Sequence, residues 1–385
     1  MNRLIPGRTG IFQTVAIGKL GQEHLPAGGA HMVHGDIPEI GNFRHGPGNP
    51  VCPESNYVLW VLEQWKPHAV EIWDRGYIYN LACPGLPISM VHRLRVEVPL
   101  FYEQGVIGSV PSYAGTFATY NPGPYIRNRL AWDHEADVDA LLAEFYPKFY
   151  GAAAGPMERY HGLIDQAHRD GDFHAGASWS IPDFYPPELR ERLRELLEQA
   201  ARAVAADPDD AARVEITRTG FDYLEAYCAI MDRRNHLDFA AEKEALQHML
   251  RLRDKMLRGY DASLLDSLQA GFVDRFVAGI TESGYNIVAT GGRIVQGLDP
   301  EWDFYLDSEA WGRYMNLHRP ESRGGYWQKI RTDKTWSAQG LHHYFGQSWY
   351  RQTATLPREC EGREVRLWFA GVNRTADVWI NGQLA

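Results

Sequence analysis

Side chains that can transfer protons or bind polar groups follow short apolar runs in the first third of the chain. His34 and Asp36 come after the second of four candidate strands, and Asp74 comes directly after the third. A carboxyl group held at such a position can act as an acid or a base, or it can bind a hydroxyl or an amide of a substrate. We therefore take Asp36 and Asp74 as the candidate catalytic residues.

Aromatic side chains lie beside these polar ones. Trp73 ends the third run, Tyr77 follows Asp74, and Tyr113 follows the fourth run. An aromatic ring can pack against the C–H face of a sugar, and a tyrosine hydroxyl can donate a hydrogen bond to developing charge. These three aromatic residues and His34 are the candidate substrate-binding residues.

Each candidate also has a purely structural interpretation, which the sequence leaves open. Asp74 can cap a helix or form a salt bridge in a loop, and Trp73 can fill the space between a sheet and its helices. Tyr77 can be an ordinary packing residue, while His34 and Asp36 can belong to a capped turn.

Four candidate strands, separated by helical segments, must position these residues. The strands are 11–17, 30–34, 69–73 and 106–110, and the main helical segments are 54–66 and 88–103. Strands that alternate with helices favour a parallel sheet, in which the working residues lie at the carboxyl ends of the strands. Four such units are half of an eight-stranded barrel. Residues 1–132 are therefore predicted to be the C-terminal half of a TIM-like (β/α)8 barrel.

The hydrophobic period becomes helical after residue 132. Asp137 is a suitable cap for a first helix and Gly151 a suitable end, and further helices are expected over 188–206, 209–233, 238–258 and 263–280. Their polar faces carry mixed charges, as solvent-facing helices do. Residues 133–290 are predicted to form an antiparallel helical bundle.

The last 95 residues are predicted to form the start of a jelly-roll β-sandwich. Candidate strands are 349–355, 365–370 and 376–380, and Asn381-Gly382 favours a type I′ turn because both turn positions need a positive φ. Only three residues follow that turn. The expected fold class is thus multidomain α/β plus β, with a partial barrel, a helical bundle and a partial sandwich over 291–385. We expect the polypeptide to be a piece of a longer protein.

Bulk composition excludes several classes of partner. The formal net charge is −10 without any basic run, so no nucleic-acid partner is expected. No segment has the roughly 18 apolar residues of a membrane span. Four scattered cysteines without a CxxC pair, and adjacent histidines without other ligands at metal spacing, predict neither a metal nor a cofactor. No secretory signal begins the chain, so localisation stays open, with an extracellular or periplasmic parent protein plausible.

Four stretches of the first half resemble one known family. They are HMVHGDIPEIGNFRHGPGNPVCPESN, AVEIWDRGYIYNLACPGLP, FYEQGVIGS and RNRLAWDHEADVDALLAEFYPKFYGAAAGPMERY. They resemble the C-terminal half of the family known as domain of unknown function 4838, whose members are glycoside-hydrolase-like barrels. The resemblance implies a general acid after barrel strand four, upstream of Met1. It therefore implies a hydrolase parent and an inactive fragment.

The last region resembles a second family. The motifs TWSAQGL, SWYRQTATLP and VRLWFAGVNRTADVWINGQL are similar to those of the sugar-binding jelly-roll domain of glycoside hydrolase family 2, which has a galactose-binding-like fold. In that family the domain is an accessory to a catalytic barrel, so the resemblance implies a carbohydrate context and not chemistry in itself.

Two functions follow from these patterns. The first is a glycoside hydrolase that acts on O-glycosidic bonds of an oligosaccharide or glycan, with a carbohydrate as its partner and without a metal. The alternative is a non-catalytic carbohydrate-binding or scaffold protein, since the described motifs include no convincing pair of acids. A polysaccharide lyase would need a tyrosine or histidine base beside a charge neutraliser, and the sequence places no such pair.

Overall fold

The computed structural model describes most of the chain. It covers residues 31–33, 53–69, 71–74, 85–109, 117–171, 178–259, 273–336, 339–341, 344, 346–372 and 375–385. The chain divides into two compact units, which are Met1–Cys228 with Gln247–Asp274, and Ala229–Leu246 with Arg275–Ala385. The three predicted domains and the barrel stay predictions.

The first unit begins with a three-stranded parallel sheet. The strands are β1 (His31–Val33), β2 (Ile72–Asp74) and β3 (Val106–Ser109), they lie in chain order, and α1 (Pro53–Trp65) and α2 (Val91–Glu103) come between them. These bounds confirm three of the four predicted strands and both main helices to within a few residues. The predicted strand 11–17 lies outside the described residues.

One face of this sheet packs against the two helices. Ile72 of β2 and Val106 of β3 are buried against Val61 and Leu62 of α1 and Phe101 of α2. Alternate residues of a strand share a face, so this apolar set defines the helix-facing side of the sheet.

Helices make up the rest of the first unit. After two short helices, α3 (Phe117–Tyr120) and α4 (Gly123–Trp132), come α5 (Val138–Tyr150), α6 (Ala154–Asp170), α7 (Ile181–Phe184), α8 (Pro187–Ala203), α9 (Pro208–Asn235) and α10 (Phe239–Gly259). The end of α9 and the start of α10 belong to the second unit, which includes Ala229–Leu246. Asp137 caps α5 as predicted, because its carboxylate accepts from the backbone N–H of Asp139 at 2.9 Å. No described helix is both long and apolar enough to cross a membrane.

The helical part of the second unit surrounds a buried ion pair. A π-helix, Val273–Ala278, continues into α11 (Gly279–Ala289). Arg234 donates from Nε to Glu242 at 2.9 Å, and the Thr281 hydroxyl donates to the same carboxylate at 2.7 Å. Since all three side chains are buried, their mutual hydrogen bonds offset the loss of water.

Two small antiparallel sheets form the remainder of the second unit. In the first, β4 (Glu301–Asp307) lies between β5 (Gln328–Arg331) and β6 (Gln347–Arg351), and the second is the hairpin of β7 (Trp379–Ile380) and β8 (Gln383–Leu384). Asn381 and Gly382 have φ values of 53° and 84°, which confirms the predicted turn. The partial jelly-roll sandwich over 291–385 stays a prediction.

The sequence interpretation was wrong for one strand of this unit. Residues 365–370 alternate as a strand should, yet they pair with no strand in the described part of the chain. Val365, Leu367 and Phe369 are exposed as a result. The sequence interpretation also missed β4 and β5. In β4 a signal was present, because the apolar residues Trp302, Phe304 and Leu306 occupy every second position.

Candidate functional site

Asp74 ends the central strand of the parallel sheet. Ile72 and Asp74 lie on the same face of β2 because side chains alternate along a strand. Ile72 packs against α1 and α2, so Asp74 also points to the helix-facing side. Its side chain is only 6% exposed, which makes it a buried carboxyl group at the carboxyl end of a parallel strand.

A β-bulge in β3 brings Ser109 to Asp74. The pairing register shifts between Ile72 and Trp73, so that Ile107 is an extra residue in β3. The extra residue reverses the side to which the following side chains point. Ser109 consequently lies opposite Asp74, and its Oγ donates to Asp74 Oδ2 at 3.1 Å.

Arg127 of α4 completes this cluster. Its Nη2 donates to Asp74 Oδ2 and, at 3.1 Å, to Ser109 Oγ. The Arg127 side chain is 3% exposed, so the ion pair is formed in the interior. We call Asp74, Ser109 and Arg127 the strand-end cluster.

Further charges surround the strand-end cluster. Burial raises the pKa of Asp74, the positive charge of Arg127 opposes that rise, and the negative charge of Glu97 adds to it. Glu97 is itself buried on α2 and accepts from Arg93 Nη2 at 2.8 Å. The charges of two carboxyl groups and two guanidinium groups therefore balance on the helix-facing side of the sheet.

Two atoms of the strand-end cluster have no hydrogen-bond partner among the described residues. They are Asp74 Oδ1, an acceptor, and Arg127 Nε, a donor. A hydroxyl group can donate to the first and accept from the second. Both atoms are buried, and the catalytic role of Asp74 stays a prediction.

Trp73 lies on the other face of the sheet. Its ring covers Gly108 of β3 so closely that a Cβ at that position would overlap the ring, and its Nε1 donates to Glu71 Oε2 at 3.0 Å. This face is opposite to the one on which α1 and α2 pack. Trp73 and Asp74 are thus neighbours in sequence whose side chains lie on opposite faces of the sheet.

The other four candidate residues lie outside the described part of the chain. They are His34, Asp36, Tyr77 and Tyr113. The catalytic role of Asp36 and the substrate-binding roles of the other three stay predictions, as does the sugar-stacking role of Trp73.

The sequence interpretation missed Arg127 and Glu97 altogether. A signal for both was present. Glu97 shares a helix face with Arg93 and Phe101 at a spacing of four residues, and Arg127 lies between the buried Ile126 and Leu130. Charged residues at the apolar positions of a helix are good candidates for buried ion pairs.

Comparison with known families identifies the region that contains this cluster. Residues 39–161 match the family model described as Domain of unknown function (DUF4838). The match includes β2, β3 and α1 to α5, and it confirms the resemblance for this region. No curated protein and no solved structure matches the chain.

Serine, histidine and aspartate also meet where the start of α2 contacts α6. Asp165 Oδ1 accepts from Ser89 Oγ at 2.5 Å and from the backbone N–H of His92 at 3.1 Å, and it lies 2.9 Å from His92 Nδ1. In a nucleophilic triad the serine would instead donate to the histidine. This arrangement therefore anchors the start of α2 to α6.

Metal ligation has no support in the part of the chain that the structure describes. There, no group of three or more histidine, cysteine, aspartate or glutamate residues could hold a metal ion.

Proposed function

We propose that this chain is part of a carbohydrate-active protein that hydrolyses O-glycosidic bonds of an oligosaccharide or glycan. The observation that carries the proposal is the strand-end cluster at the carboxyl ends of β2 and β3. In βα barrels the substrate is bound at this end of the strands. The accessory part of the proposal is a sugar-binding β-sandwich in residues 291–385.

The order of the strands fits a barrel. β1, β2 and β3 are neighbours in the same order as in the chain, and all run parallel. A singly wound barrel has this sequential order throughout, and each half of a doubly wound sheet has it up to the switch point.

Within this proposal Asp74 binds and orients the substrate. A general acid has to exchange its proton with the leaving group, whereas Asp74 is held by Arg127 and Ser109 on the side of the helices. Its Oδ1 is buried and has no hydrogen-bond partner among the described residues, so a sugar hydroxyl would have to reach it from the carboxyl end of the strands. Asp36 stays the second carboxyl group of the proposed site.

Assay of the natural gene product that carries these residues tests the proposal. We expect sugar release from at least one member of a panel of aryl glycosides and N-glycans. Asp74→Asn should lower kcat/KM by about 10²-fold, because it weakens both the ion pair and the substrate contact. Asp139→Asn is the matched control, since Asp139 is 77% exposed on α5. No release from any substrate would sink the proposal.

A non-catalytic carbohydrate-binding protein is the second candidate. The involvement of Asp74 in a buried ion pair favours it, because such a carboxylate is poorly placed for proton transfer. Calorimetric titration with the same glycans separates the two functions. Binding without turnover would support this candidate, and turnover would exclude it.

A further inference from the structure

An exposed aromatic pair follows β4 in the second unit. Trp311 is 61% exposed and Tyr314 is 85% exposed. Their ring centroids lie 6.4 Å apart, with 70° between the ring planes. Single exposed aromatic residues are ordinary features of a protein surface. This pair differs because the backbone that carries it is tightly held.

Asp307, the last residue of β4, holds that backbone. Its carboxylate accepts from the backbone N–H groups of Trp311 and Gly312 and from Trp349 Nε1, each at 2.8 Å. The side chain is 2% exposed, so the three donors take the place of water. The position of the aromatic pair is therefore fixed when the unit folds, which reduces the entropy lost on binding.

The close approach at this point requires a glycine. A Cβ at residue 312 would overlap Trp349 Nε1 and would lie 2.7 Å from Asp307 Oδ2. Any other residue would push the segment away from its anchor.

Arg313 lies between Trp311 and Tyr314 in the sequence and carries an exposed charge. Arg313 forms an ion pair with Asp377, and the two side chains are 68% and 54% exposed. The guanidinium also lies over the ring of Trp379, 5.5 Å from its centroid. Exposed donors and acceptors thus belong to the segment that carries the two rings and to its ion-pair partner, and the two charges cancel.

We propose that Trp311 and Tyr314, together with Arg313 and Asp377, bind a neutral polysaccharide. Flat aromatic faces pack against the C–H surfaces of sugars, and the ion pair offers hydrogen bonds to hydroxyls. A balanced pair of charges does not attract a polyanion or a charged peptide. For its class of ligand the inference rests on the proposed function, and it adds a binding surface in the second unit.

Native gel electrophoresis of the full chain tests this surface. The gels contain soluble mixed-linkage glucan, xylan or galactomannan, and retardation measures binding. We expect at least one polysaccharide to retard the wild type. Trp311→Ala/Tyr314→Ala should weaken binding at least about tenfold, which corresponds to ~1.4 kcal/mol. Tyr314→Ala alone should weaken it less.

Two exposed aromatic residues elsewhere serve as matched controls. Trp132 is 94% exposed in the first unit, and Tyr326 is 96% exposed in the second. Trp132→Ala and Tyr326→Ala should leave retardation unchanged. Gly312→Val keeps both rings but displaces the segment, so it should lose binding as the double variant does.

Three outcomes would overturn the proposal. The first is that no polysaccharide retards the wild type. The second is that the double variant and Tyr314→Ala both bind like the wild type, and the third is that sedimentation shows the rings joining copies of this chain. Sugar release from aryl glycosides is measured separately on the same variants. Because retardation needs no turnover, failure of the hydrolase proposal and failure of this surface give different results.

Discussion

Asp74 and Arg127 stabilise each other only as a pair. Each would be costly to bury alone, because water no longer solvates its charge. The apolar run 69–73 was enough to place Asp74 at the end of a strand. Its partner lies 53 residues further along, so only the folded chain brings the two together. The carboxylate could therefore be located from the sequence, but the cation that pairs with it could not.

Replacing Arg127 should be strongly destabilising. Arg127→Met leaves a buried carboxylate without its cation, and we expect a loss of about 3–5 kcal/mol in the free energy of unfolding. Arg129→Met on the same helix should cost less than about 1 kcal/mol, because Arg129 is 45% exposed. Urea denaturation measures both, and equal costs would contradict a buried ion pair.

The same variant should show a defined pH dependence. Without Arg127 the pKa of Asp74 loses its main lowering influence and rises further above the usual value of 3.8 for an aspartate. The folded state then binds a proton more tightly than the unfolded state, so stability falls as the pH rises. The destabilisation should be smaller at about pH 5 than at about pH 8.

At the scale of elements, β3 and α6 each depend on one uncommon local feature. The bulge at Ile107 places Ser109 beside Asp74. No sequence pattern predicted this bulge, because a strand of four residues shows no clear period. Helix α6 buries two histidines, His161 and His168, between apolar neighbours. Its bounds could have been predicted from the apolar spacing, but the protonation state of these residues depends on packing.

Acid should destabilise the first unit through α6. Burial lowers the pKa of both His161 and His168 to about 4, from 6.5. Between these values the unfolded state binds protons that the folded state does not, so stability falls as the pH falls. The loss should reach roughly 3 kcal/mol per histidine by about pH 4.

A pair of variants isolates this effect. His168 stacks on Phe184 at 4.5 Å, so His168→Phe should retain the ring contact and reduce the slope of stability against pH. His236→Phe is the control, because the side chain of His236 is 72% exposed. Urea denaturation across the pH range measures the slope of stability against pH for both variants. An unchanged slope in His168→Phe would contradict burial of the neutral form.

At the scale of the whole molecule, the strands predicted from local sequence patterns differ most from the paired strands of the structure in the second unit. The Asn381-Gly382 turn could be predicted because its requirement is local. The alternation of 365–370 was equally clear, yet a strand also needs a neighbour, and pairing is not encoded in the segment itself. Val365, Leu367 and Phe369, each 43–44% exposed, form an apolar row that should favour association between molecules.

A charge within that row should improve solubility. Leu367→Lys interrupts the apolar row and should delay aggregation, although it brings the net charge of −10 closer to zero. Val96→Lys makes the same change of charge at a residue that is 57% exposed on α2. Light scattering during slow heating compares the two. Equal delays would attribute the effect to the added charge and not to the row.

The bulge in β3 also has a meaning for sequence comparison. Val106 and Ser109 face the same side of the sheet although an odd number of positions separates them, which a regular strand forbids. Searches for distant relatives that score strands by even spacing will misalign this strand by one residue. A profile that requires an apolar residue, two free positions and then a hydroxyl residue should instead recover chains that share the strand-end cluster.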